Sequence, residues 1–387
     1  MKDFASALLA RRAKSLYRRR LVLEGPTAPE SSLDGRTVLQ FCSNDYLGLA
    51  NHPRVVEAFA AAARHYGVGA GASHLVTGHR TAHHALEEEL AVLVDRPRAL
   101  LFSSGYMANL GVVGALFGRH DQVYEDRLNH ASLLDAARYA GVPLTRYTHA
   151  DPAALEACLM RTKHKHGDQL VISDGVFSME GDLAPLSGLA SVAQRHGAWL
   201  MVDDAHGIGV LGEGRGTLAH CGLGIREVPI LVGTLGKALG TAGAFVAGDE
   251  TLIETLIQEA RTYVFTTATP PAVAEATRVA LRVSAEESWR REHLHVLVTH
   301  LRTELAALGL PLLPSITPIQ PLIVGTAAKA LAVSEALLAR DILVTAIRPP
   351  TVPEGTARLR ITLTAAHTLA QVDRLIEALA QIDACSL

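Results

Sequence analysis

A chain of 387 residues, 49% apolar and 19% charged, is long enough for two domains and can bury a sizeable core, which excludes a disordered protein. A formal net charge of -3 gives no basis for nucleic acid or a membrane surface as the main partner. The four cysteines, Cys42, Cys158, Cys221 and Cys385, form no CxxC pair and no disulfide framework, which fits a reducing, cytoplasmic setting.

The N-terminal MKDFASALLARRAKS carries early charges and no long apolar stretch, so no secretory signal is expected. ARRAKSLYRRR, Ala10 to Arg20, reads as a basic amphipathic helix at an edge or interface. Residues 1–45 read as an N-terminal arm. LQFCSNDYLGLANHP reads as a strand followed by a turn. The glycine-rich GVGAGASHLVTGH, Gly67 to His79, follows no clear strand and lacks GxGxxG, so a dinucleotide loop is a weak reading.

Short apolar runs then alternate with helical spacing. Strands are predicted at Arg98–Phe102, Gln169–Ser173, Ala198–Asp204, Pro229–Gly233 and Ala242–Gly248, and helices at His83–Val94, Asn129–Ala140 and Leu186–Gly197. This alternation predicts an α/β domain over 46–275, a mostly parallel sheet with helices on both faces. Ligands bind such sheets beyond the carboxyl ends of the strands. KHKHGD, Lys163 to Asp168, reads as a solvated loop, and His83–His84 lies on an amphipathic helix and needs no ligand; no metal site is expected. A long helical stretch, Ala272 to Leu308, runs into a proline-rich segment. IQPLIVG and ARLRITLT then read as strands, and AKALAVSEALLARD and TLAQVDRLIEALAQI as helices. Residues 276–387 make a smaller C-terminal α+β domain.

Chemistry concentrates after the predicted strands. In WLMVDDAHGIGVLG, Asp203, Asp204 and His206 emerge at a strand end, where an unpartnered buried carboxylate would be costly. A capping Asp204 and a turn histidine explain the same residues equally well. Lys237 follows the next strand, alone among uncharged residues in VGTLGKALG. A carboxylate and a lysine at neighbouring strand ends suit pyridoxal phosphate, whose aldehyde condenses with the amine and whose ring nitrogen is held protonated by the acid. The lysine must be neutral to attack, so an uncharged setting favours it. Thr234 can offer a hydroxyl to the phosphate. The strand RALLF leads through Ser103, Ser104, Gly105 and Tyr106 into a helix, which is either an anion site or an ordinary turn. His130 precedes another helix and could stack on a flat ring or serve as a structural cap.

FCSNDYLGL, LFSSGYMAN, DRLNHASLLDA, DGVFSMEGD, MVDDAHGIGVLGEGRG, GTLGKALG and RPPTVPEGTARLRITLTAAH occur in that order, and this set resembles the α-oxoamine synthases. These are fold-type I pyridoxal-phosphate enzymes that join an amino acid to an acyl thioester with loss of carbon dioxide. The resemblance covers nearly the whole chain. It is nearest to the branch that uses L-alanine and a pimeloyl thioester, carried by coenzyme A or a carrier protein, in biotin biosynthesis. Glycine-using relatives are the alternative. The resemblance implies pyridoxal 5'-phosphate as cofactor, with Lys237 as the lysine that binds it covalently, Asp203 as partner of the ring nitrogen, His206 on the ring phenol oxygen and His130 stacked on the ring. It implies catalytic roles for Lys237, His130, Asp203 and His206. Gly105, Tyr106 and Thr234 match the phosphate side, and Ser178 a cofactor-contacting serine. Arg360 resembles the arginine that clamps the amino-acid carboxylate, and Asn44 a substrate-side asparagine. Arg18 and Thr351 match positions on the acyl substrate. Thr266 or Thr267 would reach the phosphate of the partner subunit, which implies a homodimer with active sites at its interface. The family's glycine loop is serine-rich. Here Ala70 and His74 depart from it, which bears on substrate contacts and not on the cofactor.

Overall fold

The structure, a computed structural model, describes residues 2–162 and 167–382, so Cys385 and Lys163–His166 of the expected solvated loop lie outside the described residues. The chain forms two compact units. One comprises residues 52–177 and 183–288. The other comprises residues 1–51, 178–182 and 289–387.

The first unit is built on seven strands: β1 (Arg98–Phe102), β2 (Gln122–Asp126), β3 (Leu144–Tyr147), β4 (Gln169–Asp174), β5 (Trp199–Asp203), β6 (Ile230–Thr234) and β7 (Ala244–Gly248). Their spatial order is β1-β7-β6-β5-β4-β2-β3. Only β7 runs antiparallel to its neighbours; β6, β5, β4, β2 and β3 are parallel. The parallel strands read as apolar runs because helices cover them. Leu170, Ile172, Met201, Val232 and Val246 are buried in one cluster with Val112 and Leu133. Those last two sit on helices α1 (Gly105–Leu116) and α2 (Ala131–Ala140). Each such side chain contributes about 1.5–3 kcal/mol by leaving water. The fold is thus the expected α/β class with a mostly parallel central sheet.

Two strands escape the sequence pattern. β2 is fully buried yet contains Gln122, Glu125 and Asp126. β3, Leu-Thr-Arg-Tyr, ends the sheet and is only partly buried. Both Glu125 carboxylate oxygens are buried without a hydrogen-bond partner. Burial pushes the Glu125 carboxyl up to about 7, only partly offset by Arg146 and Arg138. Its folded pKa lies above the unfolded value, so the penalty is absent below about 4.5, grows through the interval and is complete above about 7. Glu125→Gln is expected to gain about 2–3 kcal/mol at pH 8 and almost nothing at pH 4.5, read from urea unfolding at the two pH values. An equal change at both would show that charge burial is not the cause.

The second unit contains an antiparallel sheet in the order Ile319–Gly325, Ala357–Thr362, Thr345–Ile347. Helices Trp289–Ala307, Ala327–Leu338 and Leu369–Ala380 accompany it. Strand Ile342–Leu343 pairs in parallel with Leu39–Gln40, so the N-terminal residues complete a sheet with a C-terminal strand. This long-range pairing has no local sequence signature. It makes the unit boundaries differ from the divisions at 45 and 275 expected from the sequence. The helical stretch expected over 272–308 is two helices, Pro271–Glu286 and Trp289–Ala307, because Glu287 leaves helical geometry at φ -106°, ψ 57°. The basic N-terminal helix spans Phe4–Ala13 in place of residues 10–20, and none of its side chains is buried. Among the described residues, no helix is long and apolar enough to cross a membrane.

Candidate active site

In the seven-stranded unit, the carboxyl ends of β4, β5 and β6 gather the predicted polar residues. Asp174 and Asp203 stand side by side in the register of β4 and β5. Asp203 Oδ2 accepts a hydrogen bond from Asn109 Nδ2 at 2.7 Å, and Oδ1 accepts the Ala205 N–H at 3.1 Å. Asn109 projects from α1, and the same amide nitrogen donates to Ser132 Oγ at 2.8 Å. Ser132 Oγ lies 2.8 Å from His130 Nδ1. A chain of contacts therefore runs Asp203–Asn109–Ser132–His130. Asn109 was not singled out from the sequence, and Ser132 reads there only as a cap candidate for the helix after His130. The available signal was an amide and a hydroxyl on helices that are otherwise apolar on their buried faces.

His130 caps α2 through Nδ1, which accepts the Ser132 N–H, while its backbone N–H donates to Asp174 Oδ2 at 2.7 Å. It is thus both a cap and a member of the polar group. Desolvation lowers the His130 pKa, Asp203 opposes that shift and Lys237 adds to it. Burial, then Asp203, pushes the Asp174 carboxyl well above the carboxylate range. Asp204 has a different job. Its Oδ2 accepts the Thr217 N–H at 2.6 Å and its Oδ1 takes the Thr217 hydroxyl, fixing the loop after β5. Burial raises its pKa to about 7. Of the two adjacent aspartates, one anchors a turn and the other joins the site.

Lys237 lies in the turn after β6, half-buried between Leu235 and the buried Ala238 and Leu239. Its Nζ is 3.0 Å from His206 Nε2. Gly105 starts α1 beside Thr234; a Cβ there would stand 2.9 Å from Thr234 Cγ2, so only glycine keeps this approach open. Ser104 caps the helix by accepting the Met107 N–H at 3.2 Å. Tyr106 is exposed, and its hydroxyl donates to Asp135. Thr266 and Thr267 lie elsewhere in their bonding: the Thr266 N–H donates to Tyr263 O at 3.4 Å, and Thr267 bridges Ser73.

The other unit holds a second group. Arg360 Nε donates to Ser178 O at 2.6 Å, and Nη1 donates to Asn44 Oδ1 and Thr362 Oγ1, each at 3.1 Å. Arg358 alongside is nearly buried and paired with Glu180 at 2.9 Å, which fixes the 178–182 segment against the same strand. Arg18 Nη2 donates to Thr351 Oγ1 at 3.0 Å, so the two positions matched to the acyl substrate touch each other.

Chemically, the first group provides an amine, a strand-end carboxylate, two imidazoles and a helix start stripped of its first Cβ. That donor set fits pyridoxal phosphate: the amine for its aldehyde, the carboxylate for its ring nitrogen, and the bare helix start for its phosphate.

A family model described as aminotransferase class I and II matches residues 36–379, and the chain belongs to this family. Nearly full-length relatives narrow the placement. An 8-amino-7-oxononanoate synthase of Nitrosococcus oceani is 64% identical, covering 97% of this chain and 99% of its own length. One of Thioalkalivibrio sulfidiphilus is 62% identical, covering 98% and 97%. Within the family the chain therefore groups with the 8-amino-7-oxononanoate synthases, pyridoxal-phosphate-dependent acyltransferases. A serine palmitoyltransferase structure from S. paucimobilis superposes with a TM-score of 0.93 at 31% identity, covering 98% of both chains.

Proposed function

We propose that this chain condenses L-alanine with a pimeloyl thioester, on coenzyme A or a carrier protein, to give 8-amino-7-oxononanoate, carbon dioxide and a free thiol, a step of biotin biosynthesis. The observation that carries this reading is the 64% identity, over nearly the whole length, to a synthase named for that product.

Bound pyridoxal phosphate supplies an aldehyde for amines and a protonated ring that accepts the electron pair released at the substrate α-carbon. Lys237 would hold the cofactor through its Nζ, and with alanine bound its free Nζ would take the α-proton. His206 Nε2, 3.0 Å from that Nζ, accepts its hydrogen bond and orients it. Asp203 would keep the proton on the ring nitrogen, and Asn109 holds Asp203 by its 2.7 Å bond. His130 would lie against the ring, with Ser132 Oγ, 2.8 Å from its Nδ1, fixing the imidazole. Gly105, Tyr106 and Thr234 line the phosphate. Arg360 takes the alanine carboxylate, with Asn44 and Ser178 setting its guanidinium; a planar fork suits that anion better than an ammonium would. Arg18 and Thr351 contact the acyl substrate. The α-carbon forms its bond to the thioester carbonyl carbon, the thiolate leaves, and the carboxylate departs as carbon dioxide. Lys237, His130 or His206 returns the proton.

Thr266 or Thr267 would reach the phosphate of a partner subunit, so the working form is a homodimer, acting in the cytoplasm. Exposed Phe265 and Thr267 on that segment support this reading. The test is product formation by purified protein with pyridoxal phosphate and pimeloyl-CoA, comparing alanine with glycine. Alanine is expected to win by at least an order of magnitude. A clear preference for glycine would move the chain to another branch. A protein that stays colourless with added cofactor, and has no borohydride-sensitive chromophore, would overturn every reading based on that cofactor.

A further inference from the structure

The seven-stranded unit carries a second cluster of metal-ligating side chains that shares no residue with the Lys237 group. One ligand atom from each of His79, His84 and Glu87 lies within 4.8 Å of the others. His84 and Glu87 are one turn apart on the helix Thr81–Leu93, and His79 lies just before it. With Leu75, Arg98 and Tyr263 they line a cavity of about 290 Å³.

We propose that His79, His84 and Glu87 bind a divalent transition-metal cation of the zinc class, with a water from the cavity as fourth ligand. His79 and Glu87 are each held by a neighbour. His79 Nδ1 is 2.9 Å from His74 Nδ1, so this side of the ring is occupied by a neighbour and Nε2 is the coordinating atom. Such an outer hydrogen bond is what orients a ligating imidazole. Glu87 Oε1 accepts the Leu101 N–H at 3.0 Å, fixing the carboxylate while Oε2 faces His79 Nε2 at 4.0 Å. Ligands around tetrahedral zinc sit about 3.3 Å apart, so this pair closes by less than 1 Å on binding. His83, which groups with His74 and His79, is excluded: its Nδ1 accepts the Arg80 N–H at 3.0 Å and its Nε2 lies 2.8 Å from Thr269 O. Arg98, the cation in the cavity wall, is committed to Glu254 at 3.1 Å. The sequence reading gave His84 no ligand because nothing local announces that His79 comes back onto its helix.

Tag-free holoenzyme, stripped with EDTA, is titrated with zinc against a chromogenic chelator and with cobalt for visible d–d bands. The expected result is about one zinc ion per chain at low-micromolar affinity or tighter, with cobalt bands of a four-coordinate site. His84→Ala removes an exposed side chain, and Glu87→Gln keeps an acceptor for Leu101, so both variants are expected to fold. Each should weaken zinc binding at least ~10-fold, while His84→Ala leaves turnover unchanged. Absence of saturable binding, or binding that either substitution leaves intact, overturns the proposal.

Discussion

Lys237→Ala is expected to lower kcat by at least ~10⁴-fold while leaving the fold intact, because one side chain serves both to hold the cofactor and to move the α-proton. The structural cost is small. Lys237 is only half-buried, and its carbonyl keeps accepting the Gly240 N–H at 2.8 Å whatever the side chain. Stability should therefore stay within about 1 kcal/mol of wild type by thermal unfolding. Lys237→Arg is expected to be as inactive, since a guanidinium does not lose its proton in proteins. Two readouts separate the roles. Loss of the borohydride-trapped adduct reports the covalent role, and partial recovery of Lys237→Ala with added methylamine reports the base. A Lys237→Ala enzyme turning over within tenfold of wild type would remove this lysine from the chemistry. In that case His206, whose Nε2 is 3.0 Å from Nζ, becomes the first candidate base.

Much of this was legible in the chain because its chemistry is local to strand ends. Asp203, His206 and Lys237 each follow a short apolar run, and parallel α/β sheets present such positions to ligands. The runs themselves were readable because covered parallel strands are continuously apolar. The failures have equally physical causes. β2 hides Glu125 and Asp126 in a buried strand, against the cost of burying charge, so its sequence does not look like a strand. The break after Glu286 has no glycine or proline to mark it. Asn109 was missed because the partner that gives it meaning, Asp203, is 94 residues away. The Arg360 group shows the same limit at longer range: Asn44 lies 316 residues from Arg360 and could be named only through a family resemblance. Periodicity reports which face of an element is buried; it does not report which distant polar group the fold will place against it.

Asp203→Asn should reduce kcat by ~10²–10⁴-fold with little loss of stability, and the reason for expecting both lies in Asn109. The substitution is nearly isosteric, and it removes the negative charge that would keep a proton on the cofactor ring nitrogen. A neutral amide cannot supply that electrostatic support in a buried site. The new amide nitrogen would meet the Asn109 donor, which now gives its hydrogen to Asp203 Oδ2 at 2.7 Å. Asn109 Oδ1, however, is buried without a partner and can accept from an introduced amide once the two groups reorient. The protein should accordingly fold, and the loss should lie in chemistry, seen as a fall in kcat and a changed pH dependence of the bound cofactor's absorption. Asn109→Ala is the matched control. It deletes one hydrogen bond to a charged group, worth about 1.5–3 kcal/mol, and should cost ~10- to 100-fold in kcat. It should also loosen His130, because Ser132 loses its donor at 2.8 Å. If Asp203→Asn retained kcat within threefold and its cofactor spectrum did not change, Asp203 would not be the partner of the ring nitrogen. Asp174, adjacent in register and bonded to the His130 N–H, would then be the carboxylate to test.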